Sequence, residues 1–241
     1  MYLSRLFLNP RDRAVRADLA DCQHLHRTVM GAFPTVGATG TARNEISVLH
    51  RVDADSRTGV ISLLVQSRLE PIWTHLPSGY LTHEAGAACA VKAVDQPYAA
   101  LRQGMRLFFR LRANPTRKID TKSGPNGERR NGRRVELRDE ESRLAWLQRK
   151  GEQHGFSLGT TRAFPPEPSP LMFNASGSAM DKVTGRRGTT ASNTHMTFAG
   201  VTFDGELTIA DESLFREALE TGIGSGKAYG FGLLSVRRPR G

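Results

Sequence analysis

Histidine is the side chain best suited to move a proton near neutral pH, because its unperturbed pKa is about 6.5. The sequence contains seven histidines: His24, His26, His50, His75, His83, His154 and His195. Two of them, His24 and His26, fall in a segment where apolar residues recur with helical spacing. These two histidines are therefore the first candidates for a general acid or a general base.

The geometry of the predicted helix over 11–30 separates these two histidines. The helix has one apolar stripe, formed by Val15, Leu19, Cys22, Leu25 and Val29. At about 100° per residue, His26 lies about 40° from Cys22 and inside the stripe, whereas His24 lies on the opposite face. Two residues placed in this way cannot share a metal ion. The spacing leaves two interpretations of His26 open, a catalytic group and a hydrogen-bonded core histidine.

A glycine-rich segment near the end of the sequence is the second candidate for function. Gly222–Gly232 reads GIGSGKAYGFG and has five glycines in 11 residues. Ala228 follows Lys227 where a Walker A loop requires Ser or Thr, and the dinucleotide fingerprint G-x-G-x-x-G has no match here. A helix C-cap explains Gly222. The other glycines favour close approach of the backbone to a ligand, with Lys227 adding a charge; a tight structural connection is the alternative.

The positive charge of the chain indicates the class of partner. The chain has 34 Lys or Arg residues against 24 Asp or Glu, which gives a net charge of +10. Residues 101–134 hold 11 of the basic residues and two acidic ones. This arginine-rich cluster favours a nucleic acid over a membrane surface, because it lacks a sustained amphipathic helix. A solvated surface without a partner is the alternative.

The sequence argues against several other classes of protein. Its two cysteines, Cys22 and Cys89, are too few for a disulfide scaffold or a multi-cysteine zinc site. No apolar run approaches the roughly 18 residues of a membrane span, and the opening MYLSRLFLNPRDR is charged too soon for a signal peptide. The sequence therefore predicts a soluble, cytoplasmic protein with no membrane partner, no metal site and no cofactor.

The order of predicted elements indicates the fold class. The first half is predicted to contain strands at 2–8, 46–52, 59–66 and 105–112 and the helix over 11–30. The second half is predicted to contain helices at 139–150 and 211–221, β-structure at 194–209 and a strand at 233–237. This order fits the β-α-β-β-α-β unit twice. We predict an α+β fold of two tandem ferredoxin-like domains, with one larger α+β domain as the alternative.

The basic segment 123–134, SGPNGERRNGRR, is the predicted linker between the two domains. It separates an N-terminal domain, 1–122, which carries the candidate helix, from a C-terminal domain, 135–241, which carries the glycine-rich segment. Residues 163–193 contain a proline cluster, FPPEPSP, followed by a polar stretch at 176–193 that is predicted to form a long exposed loop or hairpin. Asp204-Gly205 is predicted to be a hairpin turn or a bulge.

Six short blocks of the sequence, taken together, resemble the CasE family of CRISPR RNA-processing endoribonucleases. The blocks are MYLSR at 1–5, Leu25-His26, Phe33-Pro34, FRLRANP at 109–115, AWLQRK at 145–150 and GIGSGKAYGFGLLS at 222–235. The last block is similar to the glycine-rich loop of the RAMP superfamily, to which CasE proteins belong. Each block alone is weak, but their order along nearly the whole chain is specific.

The resemblance implies a substrate, a reaction and a partner. CasE proteins recognise the hairpin of a CRISPR repeat transcript and cut once at its 3′ base, without a metal, to leave a 2′,3′-cyclic phosphate. They then keep the product and join other subunits of the Cascade complex. The matching position makes His26 the expected catalytic residue, and Gln23 stands where family members have a tyrosine.

Supporting and binding residues follow from the same comparison and from the charge pattern. Glutamine can donate a hydrogen bond but does not exchange a proton at ordinary pH. We therefore expect either that Lys227 or Tyr229 assists His26, with Gln23 in a supporting role, or that turnover is slow. Arg110 and Arg112 alternate along a strand and are predicted to share a face. The expected RNA-binding residues are Arg27, Arg110, Arg112, Lys182, Arg186, Arg187, Gly222, Gly224, Gly226 and Lys227.

Two other functions stay open at this stage. A non-catalytic RNA-binding subunit of the same fold is favoured by Gln23. A nucleotide-binding enzyme that uses the glycine-rich segment is disfavoured, because the segment matches neither nucleotide-binding motif.

Overall fold

The computed structural model describes residues 1–34, 46–119, 133–159, 181–187 and 194–239, and these form two α+β units joined side by side. Each unit has an antiparallel sheet with a hydrophobic core of its own. No helix within these ranges is long and apolar enough to cross a membrane.

The N-terminal unit is built around a four-stranded sheet. Its elements are β1 (Tyr2–Leu8), α1 (Arg13–Ala20), α2 (Cys22–Met30), β2 (Leu49–Ala54), β3 (Ile61–Ser67), β4 (Cys89–Ala93) and the short α3 (Asp95–Ala99). The sheet order is β2-β3-β1-β4, and all pairs are antiparallel. A 3₁₀ turn at Trp73–His75 lies between β3 and β4, where a ferredoxin-like unit would place its second helix.

The C-terminal unit has two additional hairpins. Its elements are β5 (Arg106–Ala113), β6 (Thr116–Ile119), β7 (Arg133–Glu136), α4 (Glu140–Gln153), β8 (Phe156–Leu158), β9 (Asp181–Arg187), β10 (Thr194–Ile209), α5 (Glu212–Thr221) and β11 (Leu234–Arg237). The main sheet has the order β11-β5-β10-β8, β9 pairs with the first part of β10, and β6 pairs with β7. A 3₁₀ turn at Lys227–Tyr229 precedes β11.

The two main sheets have one topology. The strands β5, β8, β10 and β11 are the first, second, third and fourth strands of the main sheet in their own unit. Taken from the β8 edge, this sheet has the order second, third, first, fourth, which is the order of the N-terminal sheet. The prediction of two tandem ferredoxin-like domains is therefore confirmed. The core of each unit consists of the inward residues of its sheet and the apolar faces of its helices, for example Leu6 and Val29 in one unit and Phe203 and Phe215 in the other.

The position of β5 corrects the predicted domain boundary. Along its whole length β5 pairs with β10, and along part of its other edge it pairs with β11. Residues 106–113 therefore belong to the C-terminal unit, and the chain changes sheets between β4 and β5 rather than at 123–134. The composition of a segment indicates a loop, but the partners of a strand are chosen by long-range pairing that composition does not record. Most of 123–134 lies outside the described residues, and its end, from Arg133, is part of β7.

The predicted helix over 11–30 is two helices. Asp21 is extended between them, with φ −138° and ψ 111°, and its side chain accepts a hydrogen bond from the Gln23 backbone N–H at 2.8 Å. This is an N-cap, and it starts α2 in a new direction. Leu19 from the predicted stripe is 38 % exposed, whereas Leu25 and Val29 are buried in the core.

One further local prediction was wrong, and one helix is longer than expected. Asp204 and Gly205 lie inside the continuous strand β10, opposite Arg110 and Phe109, and form neither a turn nor a bulge. The helix expected over 139–150 continues to Gln153. The loop or hairpin expected at 176–193 is described only at 181–187, where it forms strand β9 and pairs antiparallel with β10, in agreement with the hairpin alternative.

Arg51 on β2 joins the two units. Its guanidinium group is buried and donates hydrogen bonds to the backbone oxygens of Arg110 and Leu233 at 3.2 Å and to Ser235 Oγ at 3.1 Å. It also forms an ion pair with Asp53 on its own strand at 2.9 Å. The edge strand of one sheet is thereby fixed to β5 and β11 of the other. We call this contact region the junction.

Candidate functional site

Helix α2 faces the junction with one side and solvent with the other. His26 is half-buried on the inner side and His24 is exposed, so the predicted separation of the two histidines is confirmed. Helix α2 contacts the 3₁₀ turn Lys227–Tyr229 of the C-terminal unit and also strand β9. The candidate histidine therefore lies where the two units meet.

Tyr229 is the nearest aromatic partner of His26. The ring centroids of His26 and Tyr229 are 6.1 Å apart, and the rings meet edge to face at 69°. Tyr229 is in turn packed against Phe198 of β10, with ring centroids 5.1 Å apart, and Phe198 against Phe231 at 5.8 Å. These aromatic contacts hold Tyr229 against the helix from the opposite unit.

The glycine-rich segment is shaped by packing within the protein. Gly222 has φ +76°, and a Cβ there would lie 2.9 Å from the Gly232 backbone oxygen and from a methyl group of Leu49. Gly226 has φ +77°, and a Cβ there would lie 2.9 Å from the Phe231 ring. Left-handed backbone and close contacts of this kind require glycine. Protein contacts therefore account for these glycines, and the favoured interpretation, a backbone that approaches a ligand, is not needed to explain them.

Strand β9 lies directly on the start of α2. A Cβ at Gly185 would lie 2.6 Å from Cys22 Sγ and 3.0 Å from Asp21 Oδ1. The backbone N–H of Arg186 donates to Asp21 Oδ2 at 3.3 Å. One aspartate thus caps α2 and anchors β9, which carries the exposed side chains of Lys182 and Arg186. Arg187 is at the end of this strand, and its side chain is outside the description.

Gln23 lies one helical turn before His26. Its side chain is half-buried, and its Oε1 atom has no hydrogen-bond partner among the described residues. A buried carbonyl oxygen of this kind is costly unless a partner reaches it. Gln23 therefore occupies the position on α2 where the resembling family has a tyrosine, and the tyrosine that contacts His26 is Tyr229 of the C-terminal unit.

The arginines on β5 have different environments. Arg110 forms two hydrogen bonds to Asp204, at 2.6 and 3.0 Å, and lies 3.7 Å from Asp53, and these carboxylates raise its pKa. Arg112 lies over the Phe231 ring, with its guanidinium carbon 5.5 Å from the ring centre. The charge of Arg110 is therefore largely neutralised by carboxylates of the protein. The guanidinium group of Arg112 instead packs on Phe231, which belongs to the aromatic cluster with Phe198 and Tyr229. Arg27 is exposed on α2.

Lys227 has a different environment from Tyr229, although both belong to the same turn. Lys227 is half-buried and lines a cavity with Lys150 of α4 and with His154, which caps the C-terminus of α4. Burial, and then the charge of Lys150, lowers the pKa of Lys227. Burial, and then the charges of Lys150 and Lys227, lowers the pKa of His154. Of the two predicted assistants of His26, the described contacts bring Tyr229 to the His26 ring and place Lys227 in this cavity.

Metal ligands are absent from the described part of the chain, in that no group of three or more His, Cys, Asp or Glu side chains there is arranged to hold an ion. Sequence reasoning missed Phe198, Lys150 and His154. Their only signals were a phenylalanine in a β-rich run and two basic residues one turn apart at the end of a predicted helix, and such signals are common in core and surface positions.

A family model described as "CRISPR associated protein" matches residues 1–238. The chain belongs to this CRISPR-associated family. The resemblance to CasE proteins found in the sequence is therefore confirmed at the level of the family.

Two curated relatives cover nearly the whole chain. The CRISPR-associated endoribonuclease Cse3 of Thermus thermophilus is 32 % identical over 237 residues, which are 98 % of this chain and 99 % of that protein. The CRISPR system Cascade subunit CasE of Escherichia coli is 29 % identical over 238 residues, which are 98 % of both. A solved structure of Cse3 bound to a 19-nucleotide RNA superposes with a TM-score of 0.73 at 30 % identity, over 98 % of this chain and 100 % of that one.

Proposed function

We propose that this chain is an endoribonuclease that cuts the hairpin of a CRISPR repeat RNA at its 3′ base and remains with the product as a Cascade subunit. The observation that carries the proposal is the pairing of a half-buried histidine on α2 with a tyrosine from the glycine-rich segment of the other unit, 6.1 Å apart between ring centres. The relatives of the same family, one named an endoribonuclease and one a Cascade subunit, support it.

The reaction begins with the RNA itself. The 2′-oxygen of one nucleotide forms a bond to the adjacent phosphorus, and the bond from phosphorus to the 5′-oxygen of the next nucleotide breaks. The proton of the 2′-hydroxyl passes to a base, and the leaving 5′-oxygen takes up a proton from an acid. The products carry a 2′,3′-cyclic phosphate and a 5′-hydroxyl. This scheme requires one or two proton carriers and positive charge near the phosphate.

His26 supplies a proton carrier in this scheme. His26 is half-buried, between the exposed His24 and the buried core residues of α2, which leaves part of the residue open to contact with a bound strand. Tyr229 meets the ring edge-on and provides a hydroxyl group that donates a hydrogen bond to the reacting phosphate or accepts one from the nucleophile. Gln23, one turn away on the same helix, supports His26 by hydrogen bonding and does not itself exchange a proton.

Binding uses the exposed cations around α2. Arg27 on α2 and the pair Lys182 and Arg186 on β9 are exposed on elements that touch each other. An A-form stem is recognised mainly through its shape, phosphates and 2′-hydroxyl groups, which suits several separate cationic contacts. The affinity for the repeat hairpin is then expected to fall steeply with salt.

The test is incubation of the chain with a repeat RNA hairpin of a type I-E array in the presence of a chelator. A single cut that leaves a cyclic phosphate is expected. His26→Ala is expected to slow cutting by at least about a hundredfold while the RNA remains bound. His24→Ala, two residues away on the exposed face, is the matched control and is expected to cut normally. Equal cutting by His26→Ala and the unsubstituted chain removes His26 from the mechanism.

A second RNA tests the nucleophile. Replacement of the nucleotide before the cut by its 2′-deoxy form is expected to abolish cutting and to spare binding. Continued cutting of this RNA requires a water nucleophile and contradicts the proposed chemistry.

Gln23 favours one alternative, a non-catalytic RNA-binding subunit of the same fold. A glutamine at this position has no proton to exchange, and its buried Oε1 lacks a partner in the described residues. The same incubation separates the two functions, because the alternative gives a stable complex and no product.

A further inference from the structure

A positively charged cavity lies beside the glycine-rich segment. Its volume is about 600 Å³, and it is an open cavity bordered by the hairpin β6–β7, helix α4 and the segment 222–227. The described residues that line it include no acidic side chain. Its lysines and arginines are Arg117, Lys118, Arg134, Arg149, Lys150 and Lys227.

These charges lack counter-ions within the part of the chain that the structure describes. None of the six forms an ion pair there; Lys150 donates to the neutral Gln153 at 2.7 Å, and Arg134 to Thr116 at 3.4 Å. Lys150, Lys227 and His154 are half-buried, so solvent screens them incompletely. Burial and the neighbouring Arg134 and Arg149 lower the pKa of Lys150. Cations gathered without an anion repel each other, and a bound anion relieves this repulsion.

The cavity and the candidate active site are joined by one short turn. Lys227 lines the cavity, and Tyr229, two residues later in the same 3₁₀ turn, contacts His26. At about 2 Å of rise per residue, the backbone between them advances roughly 4 Å. A strand whose reacting phosphate lies at Tyr229 and His26 therefore has neighbouring phosphates within reach of the cavity.

We infer that this cavity binds backbone phosphates of the RNA next to the reacting bond, with Lys150, Lys227 and Arg117 as the principal contacts. The inference rests on the proposed function and extends it to the β6–β7 hairpin and α4. Arginine suits this role because its planar fork contacts two phosphate oxygens, and lysine because it acts as a compact charge. Anchoring the strand on both sides of the turn would hold the reacting phosphate in register with His26.

The inference has a pH signature through His154. This imidazole faces Lys150 of its own helix, Lys227 of the glycine-rich segment and Glu217 of α5. In the free protein, burial and the two lysines keep its pKa below the usual value. A phosphate in the cavity adds negative charge, so the bound form takes up a proton more readily. The RNA affinity is therefore expected to rise as the pH falls through about 6.5.

The experiment measures RNA binding in a His26→Ala chain, which keeps the substrate intact. Two double variants are compared in this background: Lys150→Gln with Arg117→Gln in the cavity, and Arg57→Gln with Lys92→Gln on exposed parts of the N-terminal unit. Both remove two positive charges, so general attraction falls equally. We expect the cavity variant to bind the hairpin RNA at least about tenfold more weakly and to reduce the slope of log affinity against log salt by about one to two, and the control to change little.

The pH arm uses one further variant. His154→Gln in the same background is expected to lose the part of the pH dependence that appears below about 6.5, with the affinity at pH 8 retained. Thermal unfolding of every variant confirms that the fold is intact.

Three results overturn the inference. Equal affinity and salt slope of the cavity and control variants, with the parent chain binding RNA, remove the cavity from the interface and leave the proposed function intact. Tight binding of inorganic phosphate or ATP to the cavity, with RNA affinity unchanged by the cavity variant, assigns it to a small free anion. Absence of RNA binding by the parent chain overturns the inference together with the proposed function.

Discussion

The N-terminal unit, β1 to β4, and the C-terminal unit, β5 to β11, have the same sheet order but differ in charge. Residues 1–100 contain ten Lys or Arg and nine Asp or Glu, whereas residues 101–241 contain 24 and 15. The nearly neutral unit carries the candidate histidine, and the basic unit carries the hairpins and the glycine-rich turn that reach it.

This difference indicates why one fold occurs twice in the chain. A single ferredoxin-like unit has one sheet and one helical layer and offers little concave surface. Two units in contact create a junction, where a helix of one and a turn of the other face each other. The candidate histidine and most of the excess positive charge then lie on different units. Four substitutions test this division, in order of decreasing expected effect.

The largest effect is expected from Arg51→Met, which breaks the junction itself. Arg51 is 3 % exposed, and its loss leaves the Leu233 and Arg110 oxygens without their donor. Removing one member of a buried charged network costs about 3–5 kcal/mol. Chemical denaturation measures the loss. Arg106→Gln, which breaks an exposed ion pair with Glu206, is the control and is expected to cost less than about 1 kcal/mol. Similar losses for the two variants would show that the units do not depend on Arg51.

An intermediate effect is expected from Gly185→Ala, which pushes β9 away from α2. The added Cβ would lie 2.6 Å from Cys22 Sγ, and overpacking of this kind costs about 1–3 kcal/mol. We expect reduced stability and weaker binding of RNA, because Lys182 and Arg186 shift with the strand. Adding Cys22→Ala removes the closest atom and is expected to restore part of the loss in a double-mutant cycle. No recovery would mean that the contact with Cys22 is not the cause.

A smaller effect is expected from Tyr229→Phe, which asks whether the basic unit contributes to the chemistry. The phenylalanine ring retains the edge contact with His26 and the packing on Phe198, so only the hydroxyl group is lost. We expect cutting to slow by about tenfold, the cost of one hydrogen bond to a charged group, with RNA affinity unchanged. Single-turnover cleavage measures the rate, and Tyr2→Phe is the matched control. Unchanged cutting would confine the chemistry to the N-terminal unit.

The smallest effect is expected from His154→Gln, which changes the pH dependence of the free energy of unfolding and involves only the C-terminal unit. Burial holds the pKa of His154 below its unfolded value of about 6.5, so the unfolded chain binds more protons at mildly acidic pH. The free energy of unfolding contributed by this group is complete above pH 6.5 and falls as the pH is lowered towards the folded pKa. Denaturation between pH 5 and 8 should show a weaker pH dependence for His154→Gln than for the parent chain, and His24→Gln should leave it unchanged. Equal slopes for all three would assign the dependence to other groups.

Local signals in the sequence predicted the elements of the site well. The strands at 2–8 and 105–112, the helix at 211–221 and the period that turns His26 inward all depend on residues close in sequence. The same signals did not predict the partners of β5, which lie about 95 and 125 residues away, or the break at Asp21, where one helix ends and the next begins.

The sequence by itself determined that the chain is basic and that His26 lies on the inner side of its helix, because net charge follows from composition and helical periodicity is set within a short stretch. It favoured a repeated α+β unit over one larger domain. Only the tertiary structure decided that Tyr229 meets His26, that Asp204 and Asp53 compensate Arg110, and that Lys150, Lys227 and His154 share a cavity. The partners in each of these contacts lie far apart along the chain, except for Lys150 and His154 at the end of α4. These contacts depend on how the two units pack around the buried Arg51, and no pattern in a short stretch of sequence encodes that packing.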